Sequence, residues 1–181
     1  MTIPRPTAVE ATGLGAPTKN ATYWRGFEWY EIYVQVRDNR LRDTPRQRAT
    51  AIIVRDGCVL LVRDMYRPAF MLPGGGIDDG EEPAAAVTRE LQEETTLTAT
   101  SSQYLFTHDG KYNHHYVFSV QADGEVDISH DPLVVEFVWW NGSPDVPVHP
   151  HVTEILGKAN AVPARAENDC SSISPEAEDD V

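Results

Sequence analysis

Apolar and polar positions along the chain fall into short, strand-sized patterns arranged around one helical stretch. Tyr30–Arg37 alternates apolar with polar residues, as a half-buried strand does. Ala49–Val54 and Cys58–Val62 are apolar runs separated by Arg55-Asp56-Gly57, which predicts a hairpin. Met65–Leu72 reads as a loop around Pro68 that ends in a short strand, and Pro73-Gly74-Gly75-Gly76 then breaks the pattern. A helix fits Glu82 to Thr95. Tyr104–Thr107, Tyr116–Val120 and Leu133–Trp140 are further strands, and Pro150 opens a last helix through Ala159 with Ile155 and Leu156 facing inward. Strands surrounding a central helix predict an α/β (α+β) sandwich.

The two ends lack this periodicity. Residues 1–22 are rich in Pro, Thr, Ala and Gly and read as a flexible N-terminal arm; residues 164–181 read as a disordered acidic tail. That leaves 23–163 of the 181 residues as one domain. The longest apolar runs are strand-sized, far short of a membrane span, and Met1–Gly15 carries no apolar core of a secretory signal. Two cysteines cannot make a disulfide framework: Cys58 reads as core and Cys170 as part of the polar tail, so a reducing, cytoplasmic location is expected.

Charge narrows the partners. Fifteen Lys and Arg against 28 Asp and Glu give −13, which argues against gripping duplex nucleic acid by its phosphates. The distribution is uneven: residues 1–70 carry +4 and residues 71–181 carry −17. The arginines at 37, 40, 42, 46 and 48 form a basic band that reads as a solvated loop.

The chemistry concentrates in Gly75–Leu97. At 100° per residue, Glu90, Glu93 and Glu94 fall within about a 100° arc of one helix, beside an apolar stripe of Ala84, Val87, Leu91 and Thr95. Like charges at this spacing repel, so either the acids splay into water or divalent cations lie between them. Oxygen ligands alone suit Mg²⁺ or Mn²⁺, and no Cys or His accompanies them to favour zinc. Glycines just upstream allow close backbone approach. Arg89, four residues before Glu93, is placed to orient a carboxylate.

This stretch resembles the Nudix hydrolase box: G, five residues, E, seven residues, R-E-aliphatic, one residue, E-E, one residue, G and an aliphatic. Gly75, Glu81, Arg89-Glu90-Leu91, Glu93-Glu94 and Leu97 fit in register, and Thr96 stands where the box has Gly, so eight of nine specified positions agree. The family's glycine ends the helix in a left-handed turn; a β-branched residue is costly there, so the turn is expected to close differently.

The resemblance implies a Nudix-type α/β/α sandwich with a mixed central sheet. It also implies a hydrolase acting on phosphoric anhydride bonds, a Mg²⁺-dependent pyrophosphohydrolase in which metal-activated water cleaves a diphosphate linkage of a nucleoside polyphosphate or nucleoside diphosphate derivative. Carried over by position, Glu90, Glu93 and Glu94 hold the metal, with a backbone carbonyl from Gly74 or Gly75. Glu90 and Glu93 are the candidates for the base, with Arg89 in support. Arg63 and Arg67 are candidate phosphate contacts, and Glu136 is an extra ligand or base from the opposite wall, or an ordinary strand-edge acid. His114 and His115 point to opposite faces of a strand, so at most one reaches a pocket. ADP-ribose hydrolysis is disfavoured because His108–His115 lacks the proline usual past the box. The partners implied are a nucleotide-type small molecule, no duplex nucleic acid, no membrane, and a second copy in the homodimer common in the family. The competing reading is a catalytically weak or inactive Nudix-fold nucleotide-binding or regulatory protein, for which Thr96 is the main support.

Overall fold

The computed structural model describes residues 45–163 and Cys170. The predicted strand Tyr30–Arg37, the arm and most of the tail lie outside the described residues. In chain order the elements are β1 (Arg46–Ile52), β2 (Val54–Arg55), β3 (Cys58–Asp64), α1 (Pro83–Thr95), β4 (Thr98–Asp109), β5 (Asn113–Asp123), β6 (Val134–Trp140) and α2 (Pro150–Lys158).

Two three-stranded sheets result, ordered β1-β5-β4 and β2-β3-β6. The first is mixed: β1 runs parallel to β5, and β4 antiparallel to it. The β2–β3 hairpin forms as its turn residues predict, with Asp56 (φ 51°) and Gly57 (φ 79°) both in the left-handed region that a tight hairpin turn requires. Apolar residues separate into two cores. Ala49, Ala51, Ile53, Leu60 and Phe118 pack with Ala86, Val87 and Leu91 of α1; Ile52, Leu61, Val62, Val117 and Trp140 pack with Val152, Ile155 and Leu156 of α2. Alternation along β1 sends odd-numbered residues to the α1 side and even-numbered ones to the α2 side.

Several expectations are corrected. Ala84 is exposed and Ala86 takes its place in the buried stripe of α1. The β4–β5 hairpin is longer than the apolar runs suggest, because Thr98–Gln103 is a largely exposed, polar stretch of strand whose pairing, not burial, holds it. Arg46 and Arg48 belong to β1, and Arg48 is half-buried rather than in a solvated loop. Cys170 is not a free tail residue: it is disulfide-bonded to Cys58 at the start of β3.

Candidate active site

The glycine loop runs along the open edge of β1, where Ala51 N–H donates to Pro73 O (2.9 Å) and Ala49 N–H to Gly75 O (3.0 Å). Two glycines are required there. Gly74 has φ 132°, and a side chain would strike the Ala49 carbonyl; at Gly75 a side chain would land on the Glu90 carboxylate. The backbone therefore lies against the acids of α1 because nothing projects from it.

Arg89 organises those acids. Its Nε and Nη2 donate to the two oxygens of Glu81 (2.9 Å each), Nη2 also to Gly76 O (3.0 Å), and Nη1 to both Glu90 Oε1 (2.8 Å) and Glu93 Oε2 (3.1 Å). This two-pronged pair, with the Asp78 N–H, holds Glu81 down to about 2, and it pushes Arg89 up. Arg89 is thus a positioning residue whose donors are spent inside the protein. Glu94 is turned the other way, accepting from Gly74 N–H (2.8 Å). Burial, and the nearby charges of Glu90 and Asp131, push its carboxyl up to about 8 against the opposing pull of Arg48 and Gly74.

Glu90 and Glu94 are thus brought to the glycine loop. Glu93, more exposed, lines an open groove with Gln92, Thr96, His130, Asp131 and Pro132. Among the described residues no three Asp, Glu, His or Cys side chains already converge as a cage. Crowded carboxylates, one of them driven towards its neutral form, together with a glycine cradle that a side chain would fill, nevertheless fit a hard divalent cation.

The helix end departs from expectation. Thr96 adopts the left-handed conformation itself (φ 59°, ψ 0°), and its N–H bonds to Gln92 O (3.0 Å), as a glycine's would. The turn does not close differently. Leu97, fully buried, and the bond from Asp127 N–H to Thr95 O (3.0 Å) hold the chain in this path.

The other predicted residues lie elsewhere. Arg63 and Glu136, register partners on β3 and β6, form an ion pair with each other, Nε at 2.7 Å and Nη2 closer still. Arg67 pairs with Asp64 (3.1 Å). His115 is buried and His114 is at the surface, bonded to Asp109 (2.5 Å). Asp131 beside Glu94, and Arg48, escape the sequence reading: one is an acid in a loop, the other sits among five arginines, and neither carries a local signal.

Comparison with known proteins now bears on the whole. The NUDIX domain model matches residues 45–155, more than half of the chain. The chain belongs to the NUDIX family. An RNA pyrophosphohydrolase of Cereibacter sphaeroides is 39% identical over 56 residues, 30% of this chain and 35% of that protein. Nudix hydrolase 25 of Arabidopsis thaliana is 43% identical over 49 residues, 26% of this chain and 28% of that protein. These matches span only about a third of the relatives' own length. Among solved structures, a MutT NUDIX hydrolase from Burkholderia pseudomallei is 25% identical with a TM-score of 0.58, over 64% of this chain and 98% of that one. The NUDIX fold with its mixed sheet is therefore the fold of this chain. Among the described residues no helix is long and apolar enough to cross a membrane.

Proposed function

We propose that this NUDIX protein is a divalent-metal-dependent pyrophosphohydrolase that cleaves a diphosphate linkage of a nucleoside polyphosphate or nucleoside diphosphate derivative. The observation that carries the reading is Arg89 drawing Glu90 and Glu93 onto one guanidinium nitrogen while Glu94 anchors to the glycine loop. Similarity to proteins named RNA pyrophosphohydrolase and MutT supports the bond type. Glu90, Glu93 and Glu94, with a carbonyl of Gly74 or Gly75, would hold Mg²⁺ or Mn²⁺. Such an ion lowers the pKa of water and neutralises charge developing on the diphosphate oxygens. Glu90 or Glu93 takes the proton from the attacking water, and Arg89 fixes the orientation of both. Arg63 and Arg67 would contact a phosphate only by giving up their pairs with Glu136 and Asp64. We place the reaction in the cytoplasm, and we expect a homodimer.

The test is product release from nucleoside triphosphates, ADP-ribose, nucleotide sugars and dinucleoside polyphosphates with Mg²⁺, Mn²⁺ or EDTA. Cleavage of one class at a diphosphate bond, abolished by EDTA and reduced on the order of 10³-fold in Glu93→Gln and Glu94→Gln with the fold retained, is the expected result. Undiminished activity in either variant overturns the metal assignment. A folded protein that binds nucleotides without turning over any of them overturns the hydrolase reading in favour of the regulatory one.

A further inference from the structure

A row of buried polar side chains crosses the first sheet on the face turned away from α1. Arg48 of β1 pairs in register with His115 of β5, and His115 with His108 of β4, so the three residues stand side by side across three strands. Thr50, the next residue on the same face of β1, bonds His115 Nδ1 through its hydroxyl (2.9 Å). Over this row sits the start of α2: the ring of His151 lies 5.3 Å from that of His115 and stacks at 5.4 Å on His149.

The Arg48 guanidinium has a long contact to Leu72 O (3.5 Å) and one to the Met71 sulfur (4.0 Å), and no carboxylate within ion-pair distance among the described residues. His149 Nε2 is buried with no hydrogen-bond partner among the described residues. Beyond burial, His115 feels Arg48 and the rings of His108 and His114; His149 feels Arg67 and Asp64; His151 feels His115, His149, Arg48 and Arg67; and His108 feels Lys158, Glu154 and Asp109. Burial and these cations hold His115 down to about 4 and His151 down to about 3, so the imidazoles are neutral when the site is empty. The first turn of α2 adds a helix N-terminus whose positive end favours an anion, although Pro150 has no N–H and Val152 N–H is bonded to His149 O (2.9 Å). On its other side Arg48 feels Glu94 and Glu90, so the row adjoins the acid helix.

A half-buried guanidinium with weak partners, imidazoles able to accept a proton, and a helix N-terminus form a complementary set for a doubly charged phosphate. We propose that Arg48, His115, His149 and His151 form a subsite for the free terminal phosphate of a polyphosphate chain whose next linkage lies over Glu90, Glu93 and Glu94. The substrate is therefore one that ends in a free triphosphate or longer chain, not a diphosphate capped by a second sugar. Such a cap would bury its hydroxyls beside Met71, which is apolar, in the core and against Arg48. This proposal rests on the hydrolase reading above.

The test uses the full chain in EDTA with inorganic tripolyphosphate as probe, so it needs no turnover. The expected result is a shift of the His115 and His151 ring ¹⁵N resonances towards imidazolium at pH 7, and binding weakened at least tenfold in Arg48→Gln and less in Arg48→Lys. In kinetics, Arg48→Gln should raise KM for nucleoside triphosphates at least tenfold, with a smaller change in kcat and in KM for ADP-ribose. Imidazole resonances that stay put in wild-type protein, or KM values that rise equally for capped and uncapped substrates, overturn the subsite. Turnover without an imidazole response refutes this proposal alone, whereas an imidazole response without any turnover refutes the hydrolase reading and leaves the subsite standing.

Discussion

The acid helix and the imidazole row are two polar regions of one small protein that adjoin at Arg48, and they solve burial in opposite ways. Around α1 the charges are matched: five hydrogen bonds from Arg89 bind Glu81, Glu90, Glu93 and Gly76 into one network. Across β1, β5 and α2 no such network forms, and burial, with Arg48 beside them, keeps the His115 and His151 imidazoles neutral. A matched network fixes geometry, while an unmatched one is poised to bind. The residual mismatch on the acid side is Glu94, which calls for a cation; on the imidazole side the mismatch calls for an anion.

The largest expected effect lies on the imidazole side. His115 is neutral in the fold and has an ordinary value near 6.5 when unfolded, so the unfolded chain takes up the proton first as pH falls. Its contribution is complete above about pH 6.5 and is lost as pH falls towards 4. That amounts to about 3 kcal/mol at the low end, by 1.36 kcal/mol per unit. Urea unfolding of wild type and His115→Gln between pH 7.5 and 4 should show the wild type losing about that much more than the variant. Parallel curves would mean that His115 is charged in the fold, and the contrast between the two regions would fail.

An intermediate effect belongs to Arg89. Lysine keeps the charge but cannot grip Glu81 with two parallel bonds while also reaching Glu90, Glu93 and the Gly76 carbonyl. Arg89→Lys should weaken the apparent Mg²⁺ affinity and lower kcat/KM by roughly 10–100-fold, as loss of a residue that orients metal ligands does. A Mg²⁺ activation curve unchanged in this variant would show that the acids hold their places without Arg89.

The two regions also differ in how far they can be read before folding. The acids lie within one helix, so spacing alone places Glu90, Glu93 and Glu94 on neighbouring positions, and the glycines beside them are close in sequence. Arg48, His108 and His115 come from three strands that only the register brings into a row, and His149 and His151 join it by the packing of the start of α2. Nothing local distinguishes Arg48 from the other arginines around it. The pairing of Cys58 with Cys170, 112 residues apart, is hidden for the same reason. Element types follow from continuous apolar runs in β1 and β3, buried on both faces, and from the patterns of β6 and both helices. They fail in the first half of β4, where exposed Thr, Ser and Gln leave no pattern to read.

Thr96 is the place where local preference and the fold disagree, and it gives the smallest effect. A β-branched residue in the left-handed region carries a steric penalty of about 1–2 kcal/mol that glycine escapes, and Thr96 stands there with φ 59°. What opposes the penalty is modest: Gln92 Nε2 donates to Thr96 O (3.1 Å), a bond glycine would keep, and only the long contact from Thr96 Oγ1 to Glu125 O (3.4 Å) would be lost. Glycine adds freedom to the unfolded chain, which subtracts part of the gain. Thr96→Gly should therefore stabilise the protein by about 1 kcal/mol in urea unfolding, without altering the Mg²⁺ activation curve, because Glu93 and Glu94 lie inside the helix and do not depend on how its last turn is capped. A loss of stability would show that the Thr96 side chain supplies more than it costs. A changed metal response would show that the helix end and the acid cluster are coupled, which would extend the matched network of α1 beyond the reach of Arg89.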